Sequence, residues 1–461
     1  MTNWKPDPAT LTRPVYLSLA EQFARAIESG ALPNGSRLMP HRKLADWLGL
    51  SVQTVSRAYE DLIRRGLISG EIGRGSFVLG PGVEAHQPYL PERTGEVIDL
   101  SILKPVVETM HLDRLRQGFA WLAANLSASA ALSFRPNTVM PQHRRVAADW
   151  LARQGIGVEP AGITITNGAS SAITAALMSV VPPGAGLAAE ALTHHTLMPL
   201  CGYLGLHLDG VAMDDQGMIP AALDEVARKG QTRAVYLQPN AINPLACLMP
   251  LERRAELVEV ARRHDLAIIE NDILNILIAD RPAAFAALAP ERTLHICGFT
   301  KITVPGLRLA YLSAPLRHST AAANRHLVAN WIATPPMVEL LGNWIQDGTV
   351  EDLVQWQRQA LADRHRLATE ILGLHMPPCH RNSLHLWLRL PEGCGEEDFV
   401  TQARLQGVAV AAGSAFRATE KGRREAIRVA LGSTHRDGLR RGLSVISALL
   451  TESPEVLLPT I

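Results

Sequence analysis

Apolar residues recur every four positions at Val15, Leu19, Phe23 and Ile27 and stop at Gly30, which predicts an amphipathic helix ended by glycine. A short helix is expected from about 41 to 48, then a turn at Gly49. A third helix opens at Ser51, carries Val52, Val55, Ala58, Tyr59 and Leu62 on its buried side, and ends at Gly66. Residues 67–70 and 73–78 read as two short strands around a glycine-rich tip that bears Arg74. From 81 to 96 the pattern dissolves into Pro, Gly and charged residues, with Pro81, Pro88 and Pro91 spaced through a short, partly stiff linker.

Beyond residue 97 short apolar runs alternate with longer helical patterns, which predicts a mostly parallel sheet covered by helices. Strand-like runs lie at 163–166, 234–237, 267–269, 294–297 and 310–312, and an amphipathic helix at 251–263. The chain is therefore divided into a reading module at 1–80, a linker at 81–96 and a large α/β domain at 97–461, whose smaller C-terminal α+β subdomain begins near 340.

Three helices and a hairpin wing are the outline of a winged helix-turn-helix, which lays its second motif helix in the major groove of double-stranded DNA. Ser51, Gln53, Thr54 and Arg57 fall at exposed positions of that helix, Arg42 opens the preceding one, and Arg74 and Gly75 mark the wing tip. These seven are the candidate DNA contacts, to base edges or phosphates.

Composition narrows the class. With 461 residues, 47% hydrophobic and 19% charged, the chain is a folded multidomain protein and neither a disordered segment nor a small disulfide-stapled module. The net charge of +1 is uninformative until it is divided: ten basic against seven acidic residues through Gly80, 35 against 37 afterwards. Five scattered cysteines (Cys201, Cys247, Cys297, Cys379, Cys394) form no Cys-x-x-Cys pair, and the histidines show no ligand spacing. No metal is expected. The first eight residues hold no apolar run and no later segment has the length to span a bilayer, so a reduced, cytoplasmic protein with no membrane partner is expected.

The N-terminal module resembles the GntR family of winged-helix transcriptional regulators. The match runs from Tyr16 to Val78 through Arg42-Lys43-Leu44-Ala45, Leu48-Gly49-Leu50-Ser51, Thr54-Val55-Ser56-Arg57-Ala58-Tyr59 and Gly73-Arg74-Gly75-Ser76-Phe77-Val78. One departure is Val52, where the family often has an arginine after the motif serine.

In the large domain, Ile163-Thr164-Ile165-Thr166 enters Asn167-Gly168-Ala169-Ser170-Ser171 and a helix, an arrangement that points free backbone N–H groups at an anion. Later come Gln238-Pro239-Asn240-Ala241-Ile242-Asn243-Pro244, Gly298-Phe299-Thr300-Lys301 through Arg308, and Ile427-Arg428-Val429. In this order the landmarks resemble fold-type I, class I aminotransferases, which use pyridoxal 5′-phosphate (PLP). The resemblance implies that Lys301 forms the Schiff base with PLP. It implies that Arg308, Thr300, Gly168, Ala169 and Ser170 hold the phosphate, and that Asn243 bonds the ring hydroxyl. Arg428 matches the arginine that pairs an amino-acid carboxylate, the planar guanidinium gripping two oxygens.

Three positions depart from that family. In Ile269-Glu270-Asn271-Asp272-Ile273-Leu274, Asn271 stands for the aspartate that bonds the pyridine nitrogen, and Leu274 for a tyrosine that bonds the ring hydroxyl. A carboxylate keeps the ring nitrogen protonated, whereas a neutral amide does not. Asp272 takes the place of the aspartate if the register shifts by one, although a strand residue one step along points to the other face. His194 falls where an aromatic stacks on the ring; the alternative is that His194 and His195 are loop residues facing solvent.

The whole chain is similar to the MocR-type regulators, a GntR winged helix joined to an aminotransferase-like domain. That resemblance implies a homodimer, with the reading module often packed on the partner's large domain, and a small amine or amino-acid effector. It implies a sensor and not an enzyme; a working aminotransferase with an accessory DNA module, and a regulator that has lost PLP, stay open.

Overall fold

The structure is a computed structural model and describes residues 4–33, 35–64, 67–71, 75–79, 97–132, 141–419 and 424–451. The chain divides into two compact units, Met1–Gly95 and Glu96–Ile461.

In the first unit the predicted stripes become α1 (Val15–Glu28), α2 (His41–Leu48) and α3 (Val52–Arg64), followed by β1 (Ile68–Glu71) and β2 (Gly75–Val78). Leu19, Phe23, Leu44, Val55, Ala58, Tyr59 and Leu62 are all buried together, because the four-residue spacing puts them on facing helix surfaces. Tyr59 is fully buried but satisfied, its hydroxyl donating to the Met39 carbonyl at 2.8 Å. β1 and β2 pair antiparallel, Ile68 opposite Val78. Arg74 and residues 80–96, which include the linker read in the sequence, lie outside the described residues.

The second unit carries β3 (Ile98–Asp99), β4 (Ile163–Thr166), β5 (Gly186–Glu190), β6 (His207–Val211), β7 (Met213–Asp214), β8 (Gly217–Met218), β9 (Thr232–Leu237), β10 (Ala267–Asn271), β11 (Thr293–Gly298), β12 (Ala310–Ser313), β13 (His385–Arg389), β14 (Val408–Ala409), β15 (Ala411–Ala412) and β16 (Ala426–Ala430). Among the described residues the main sheet has seven strands in the order β4-β12-β11-β10-β9-β5-β6. It is mostly parallel, as expected; β12 runs antiparallel to both neighbours, β11 and β4.

Helices cover both faces. Tyr236 and Ile269 point to one side and pack with Ala172, Ile173 and Ala176 of the helix Ala169–Val180. Val235, Leu237 and Ile268 point to the other side, against Leu257, Val258 and Ala261 of the helix Leu251–Arg263. The strands are therefore apolar on both faces, the pattern required of a parallel sheet between helical layers.

A smaller sheet, β13-β16-β15, is backed by Leu439, Leu443 and Ile446 of the helix Arg436–Thr451. β14 pairs in parallel with β3. The long helix Thr349–Leu372 is shared between two cores: Val350, Leu353 and Leu361 join the large one, Leu367, Ala368 and Leu372 the small one. The C-terminal ends of β4, β5, β9, β10 and β11 lie at one edge of the main sheet, where loops can converge on a ligand.

Candidate functional site

β11 ends at Gly298 and the chain returns to β12 through a loop that holds Thr300, Lys301 and Arg308. Thr303 N–H donates to the Phe299 carbonyl at 3.0 Å, closing a turn that sets Lys301 at the sheet edge. The Lys301 side chain is half-buried and its amine donates to the Leu103 carbonyl. Burial, together with the positive charges of Arg428, Arg308 and Lys104, brings its pKa down to about 8. A lysine with that pKa carries a substantial neutral, nucleophilic fraction near neutral pH.

One corner of the site is built from β4 and the helix that follows it. Gly168 caps the helix Ala169–Val180 with φ 85°, and the helix begins three residues earlier than the sequence pattern suggested, so Ala169 and Ser170 form its first turn. A Cβ on Gly168 would stand 3.3 Å from Arg308 Nη2 and the backbone there would be strained, so the guanidinium lies directly against the helix start. Arg308 itself sits in the left-handed region, φ 49°. Free N–H groups, a helix dipole and a guanidinium in one place make an anion cradle.

A second corner joins the two sheets. Arg428, on β16, is buried; its Nη1 donates to Asn243 Oδ1 at 3.0 Å and its Nη2 to the Ser101 carbonyl at 2.6 Å. Its guanidinium carbon lies 4.6 Å from the centroid of the Phe416 ring, a cation–π contact. Burial lowers its pKa to about 10, which still leaves it charged at neutral pH. Asn243 is in turn held by its carbonyl, which accepts from Gln238 Nε2 at 3.1 Å.

His194 bonds Thr196 Oγ1 through Nδ1 at 2.7 Å, and its ring centroid is 4.8 Å from that of His195. Both rings are half-buried, so neither is a freely solvated loop histidine. Burial, then His195, Lys301 and Arg428, hold His194 well below its ordinary pKa; burial, Arg428 and Lys301 lower His195 to about 4. The two imidazoles are thus neutral at physiological pH.

At the inner end, Asn271 Nδ2 donates to the Tyr236 hydroxyl at 2.6 Å, while the buried Asn271 Oδ1 has no partner among the described residues. Asp272 points away: it accepts from Asn240 Nδ2 at 2.6 Å and meets His295 Nε2 at 3.3 Å. Burial alone would raise its pKa, but those two bonds and the Arg254 charge keep it below the usual carboxylate range. The one-step shift considered for Asp272 is therefore not realised, because successive strand residues face opposite sides of the sheet. Leu274 is buried in the large core.

Several side chains at the site carry no local signal. Tyr236 reads as an ordinary strand residue, Phe416 lies far from any motif, and the carbonyls of Ser101 and Leu103 are invisible to side-chain patterns. Only the fold brings them to the lysine.

The residues present fit PLP at two of its three ends. The Gly168–Arg308 cradle suits a phosphate, the Lys301 amine suits the aldehyde, and the orphaned Asn271 Oδ1 marks the ring-nitrogen end with an amide in place of a carboxylate.

In the first unit Arg42, Ser51, Gln53 and Arg57 are exposed and Thr54 half-exposed. Ser51 Oγ accepts from Thr54 N–H at 3.0 Å, capping the start of α3, and lies 2.8 Å from Thr54 Oγ1. The Arg57 guanidinium stacks on Tyr16, 4.6 Å from the ring centroid, which restrains it against α1. Gly75 opens β2.

Comparison with known proteins bears on the family and the fold. A family model described as aminotransferase class I and II matches residues 107–446, and one described as bacterial regulatory proteins, gntR family, matches residues 15–78. The chain is 26% identical over 469 residues to the HTH-type transcriptional regulator TauR of Rhodobacter capsulatus, covering 94% of this chain and 96% of that one. It is 26% identical over 368 residues to the HTH-type pyridoxine biosynthesis transcriptional regulator PdxR of Corynebacterium glutamicum, covering 77% and 78%. Among solved structures, LysN, an alpha-aminoadipate aminotransferase of Thermus thermophilus complexed with N-(5′-phosphopyridoxyl)-L-leucine, superposes with a TM-score of 0.70 at 21% identity, over 77% of this chain and 92% of that one. Among the described residues no helix is long and apolar enough to cross a membrane. The chain belongs to the aminotransferase class I and II family and carries a gntR-family helix-turn-helix unit ahead of it in sequence, an arrangement consistent with the MocR-type regulators.

Proposed function

We propose that the pocket at the strand ends binds PLP through Lys301, takes a small carboxylate-bearing amine against Arg428, and by its occupancy sets DNA binding in a homodimer. The observation that carries this reading is the gathering of Lys301, Arg428, Asn243 and two neutral histidines in one pocket, with only positive charges acting on the lysine. Arg308, Thr300 and the N–H groups of Ala169 and Ser170 would hold the phosphate at the turn opened by Gly168, whose own N–H is given to the Thr166 carbonyl at 2.8 Å; Asn243 would hold the ring hydroxyl, and His194 the ring face. Bound PLP supplies an aldehyde that condenses with amines and, when its ring nitrogen is protonated, an electron sink.

Asn271 places no charge opposite that nitrogen, so the pocket favours sensing an amine over turning it over. A second reading, a working aminotransferase with an accessory DNA unit, is favoured by the presence of the lysine and both arginines in one place. One experiment separates them. Purified with PLP, the protein is expected to show an absorption band that borohydride traps on Lys301, with no exchange between amino acids and oxo-acids. Rapid exchange would establish the second reading; no trappable band would establish a regulator without PLP.

The pH dependence follows from the lysine. Because its pKa is lowered to about 8, the neutral amine becomes the main form as pH rises through that value. The rate at which the band forms is expected to grow by about tenfold per pH unit below that point and to level above it. A rate still climbing at about pH 10, the ordinary lysine range, would contradict the lowered pKa.

Exposed Leu112 and Phe119, on one side of the helix Thr109–Asn125, support the homodimer. Five free cysteines suit a reduced, cytoplasmic setting. For the DNA unit, Arg42→Ala and Arg57→Ala should each weaken duplex binding and reduce the slope of log affinity against log salt by about one, as loss of a phosphate contact does. Titrations at several salt concentrations measure both, and unchanged slopes would remove these arginines from the interface.

A further inference from the structure

The short segment that opens the second unit reaches into the pocket. β3 is tied to the small sheet: the N–H groups of Ile98 and Leu100 donate to the carbonyls of Gly407 and Ala409, both at 2.8 Å, and Ala430 N–H donates to the Leu100 carbonyl at 2.7 Å. Asp99 Oδ1 then accepts from the N–H and the hydroxyl of Ser101, at 2.9 and 2.6 Å, turning the chain. Past that turn two successive contacts go to the two anchoring cations of the site. The Ser101 carbonyl accepts from Arg428 Nη2, and the Leu103 carbonyl from the Lys301 amine. The next residues press on Gly432, where a Cβ would collide with the Lys104 carbonyl oxygen and stand 2.9 Å from the Pro105 carbonyl carbon.

We propose that residues 101–104 form an autoinhibitory strap, held across the pocket by Arg428 and Lys301 and displaced by a ligand that carries a carboxylate. A carboxylate on a guanidinium needs two adjacent N–H groups. On Arg428, one Nη1 N–H is given to Asn243 and one Nη2 N–H to the Ser101 carbonyl, while the buried Nε has no partner among the described residues, so a carboxylate that takes the Nε–Nη2 edge has to share Nη2 with Ser101. A carboxylate at that edge brings its negative charge against the Ser101 carbonyl oxygen, and two acceptors at one donor edge repel. The lysine amine likewise has to leave the Leu103 carbonyl before it can attack a carbonyl carbon. In sequence the strap follows the segment 81–96 that joins the DNA-reading unit, with the hydrogen-bonded β3 between them.

This inference rests on the proposed cofactor pocket, and the test separates the two. Full-length protein is loaded either with pyridoxamine 5′-phosphate, which fills the cofactor end without a carboxylate, or with N-(5′-phosphopyridoxyl)-L-alanine, which adds one. Binding is read by calorimetry and the strap by amide hydrogen exchange in peptides spanning 98–104. The alanine adduct is expected to speed exchange there by about tenfold over pyridoxamine 5′-phosphate. Gly432→Ala, which wedges the strap away without touching Arg428 or Lys301, should give fast exchange with either compound and bind the adduct about tenfold more tightly. If both compounds bind and exchange is the same, the strap is overturned while the pocket stands. If neither binds, the pocket reading falls and takes the strap with it. Should Gly432→Ala fail to fold, the wild-type comparison decides alone.

Discussion

Replacing Lys301 with alanine is expected to abolish the PLP absorption band and all borohydride-trappable label. The expectation is a complete loss because the lysine amine is the nucleophile at the sheet edge whose pKa is lowered to about 8 by burial and by Arg428, Arg308 and Lys104. The other described lysines, Lys5, Lys43, Lys104 and Lys229, lie on the exposed surface, away from any enclosed site that would orient a bound aldehyde. Mass mapping of the reduced protein measures this directly: label on a different lysine in the substituted protein would place the aldehyde outside the pocket. Phosphate binding should persist in weakened form, since the Gly168 and Arg308 cradle does not involve the lysine. An unchanged far-ultraviolet circular dichroism spectrum and denaturant midpoint of the second unit would distinguish a lost cofactor from an unfolded chain.

The second large effect is on stability. Glu396 and Arg417 form a buried ion pair at 2.7 Å, their side chains 1% and 4% exposed. The carboxylate also accepts from Ser414 N–H at 3.0 Å, and Arg417 Nη2 donates to the Arg424 carbonyl at 3.1 Å. Glu396→Ala leaves a guanidinium buried without its anion, and removal of one partner from such a pair costs about 3–5 kcal/mol. The loss should appear as a lowered denaturant midpoint for the second unit. A joint replacement of both by apolar residues of similar size should recover much of it, because the desolvation penalty disappears with the charges. A single substitution that shifts stability by less than about 1 kcal/mol would mean that water reaches the pair. The pair matters beyond stability. It anchors the turn Gly413–Phe416, and Phe416 carries the Arg428 guanidinium on its face and meets His195 edge-on at 5.8 Å.

Much of the scaffold was legible in the residues. The bounds of α2, of β4 and of the helix Leu251–Arg263 coincide with the sequence reading, because each has a clear period and clean punctuation by Gly, Pro or Ser. β5 left no such trace: Gly-Leu-Ala-Ala-Glu has no β-branched or aromatic residue, and it becomes a strand only because β6 and β9 flank it. The helix at Ala169 begins earlier than its pattern, since small residues show no apolar period. Asn271 and Leu274 could be flagged by their chemistry alone, but that the Asn271 amide is committed to Tyr236 could not, the two lying on different strands.

The sequence by itself determined the local elements, the order of the two units and the kinds of side chain available for an amine, a phosphate and a carboxylate. These follow from periodicity and residue chemistry, which act within a few positions along the chain. The tertiary structure alone decided which groups meet. Arg428 reaches Asn243 across 185 positions and Lys301 reaches the Leu103 carbonyl across 198. Such contacts depend on how helices and sheets pack and on which backbone carbonyls are left without a ladder partner, and no local pattern encodes either.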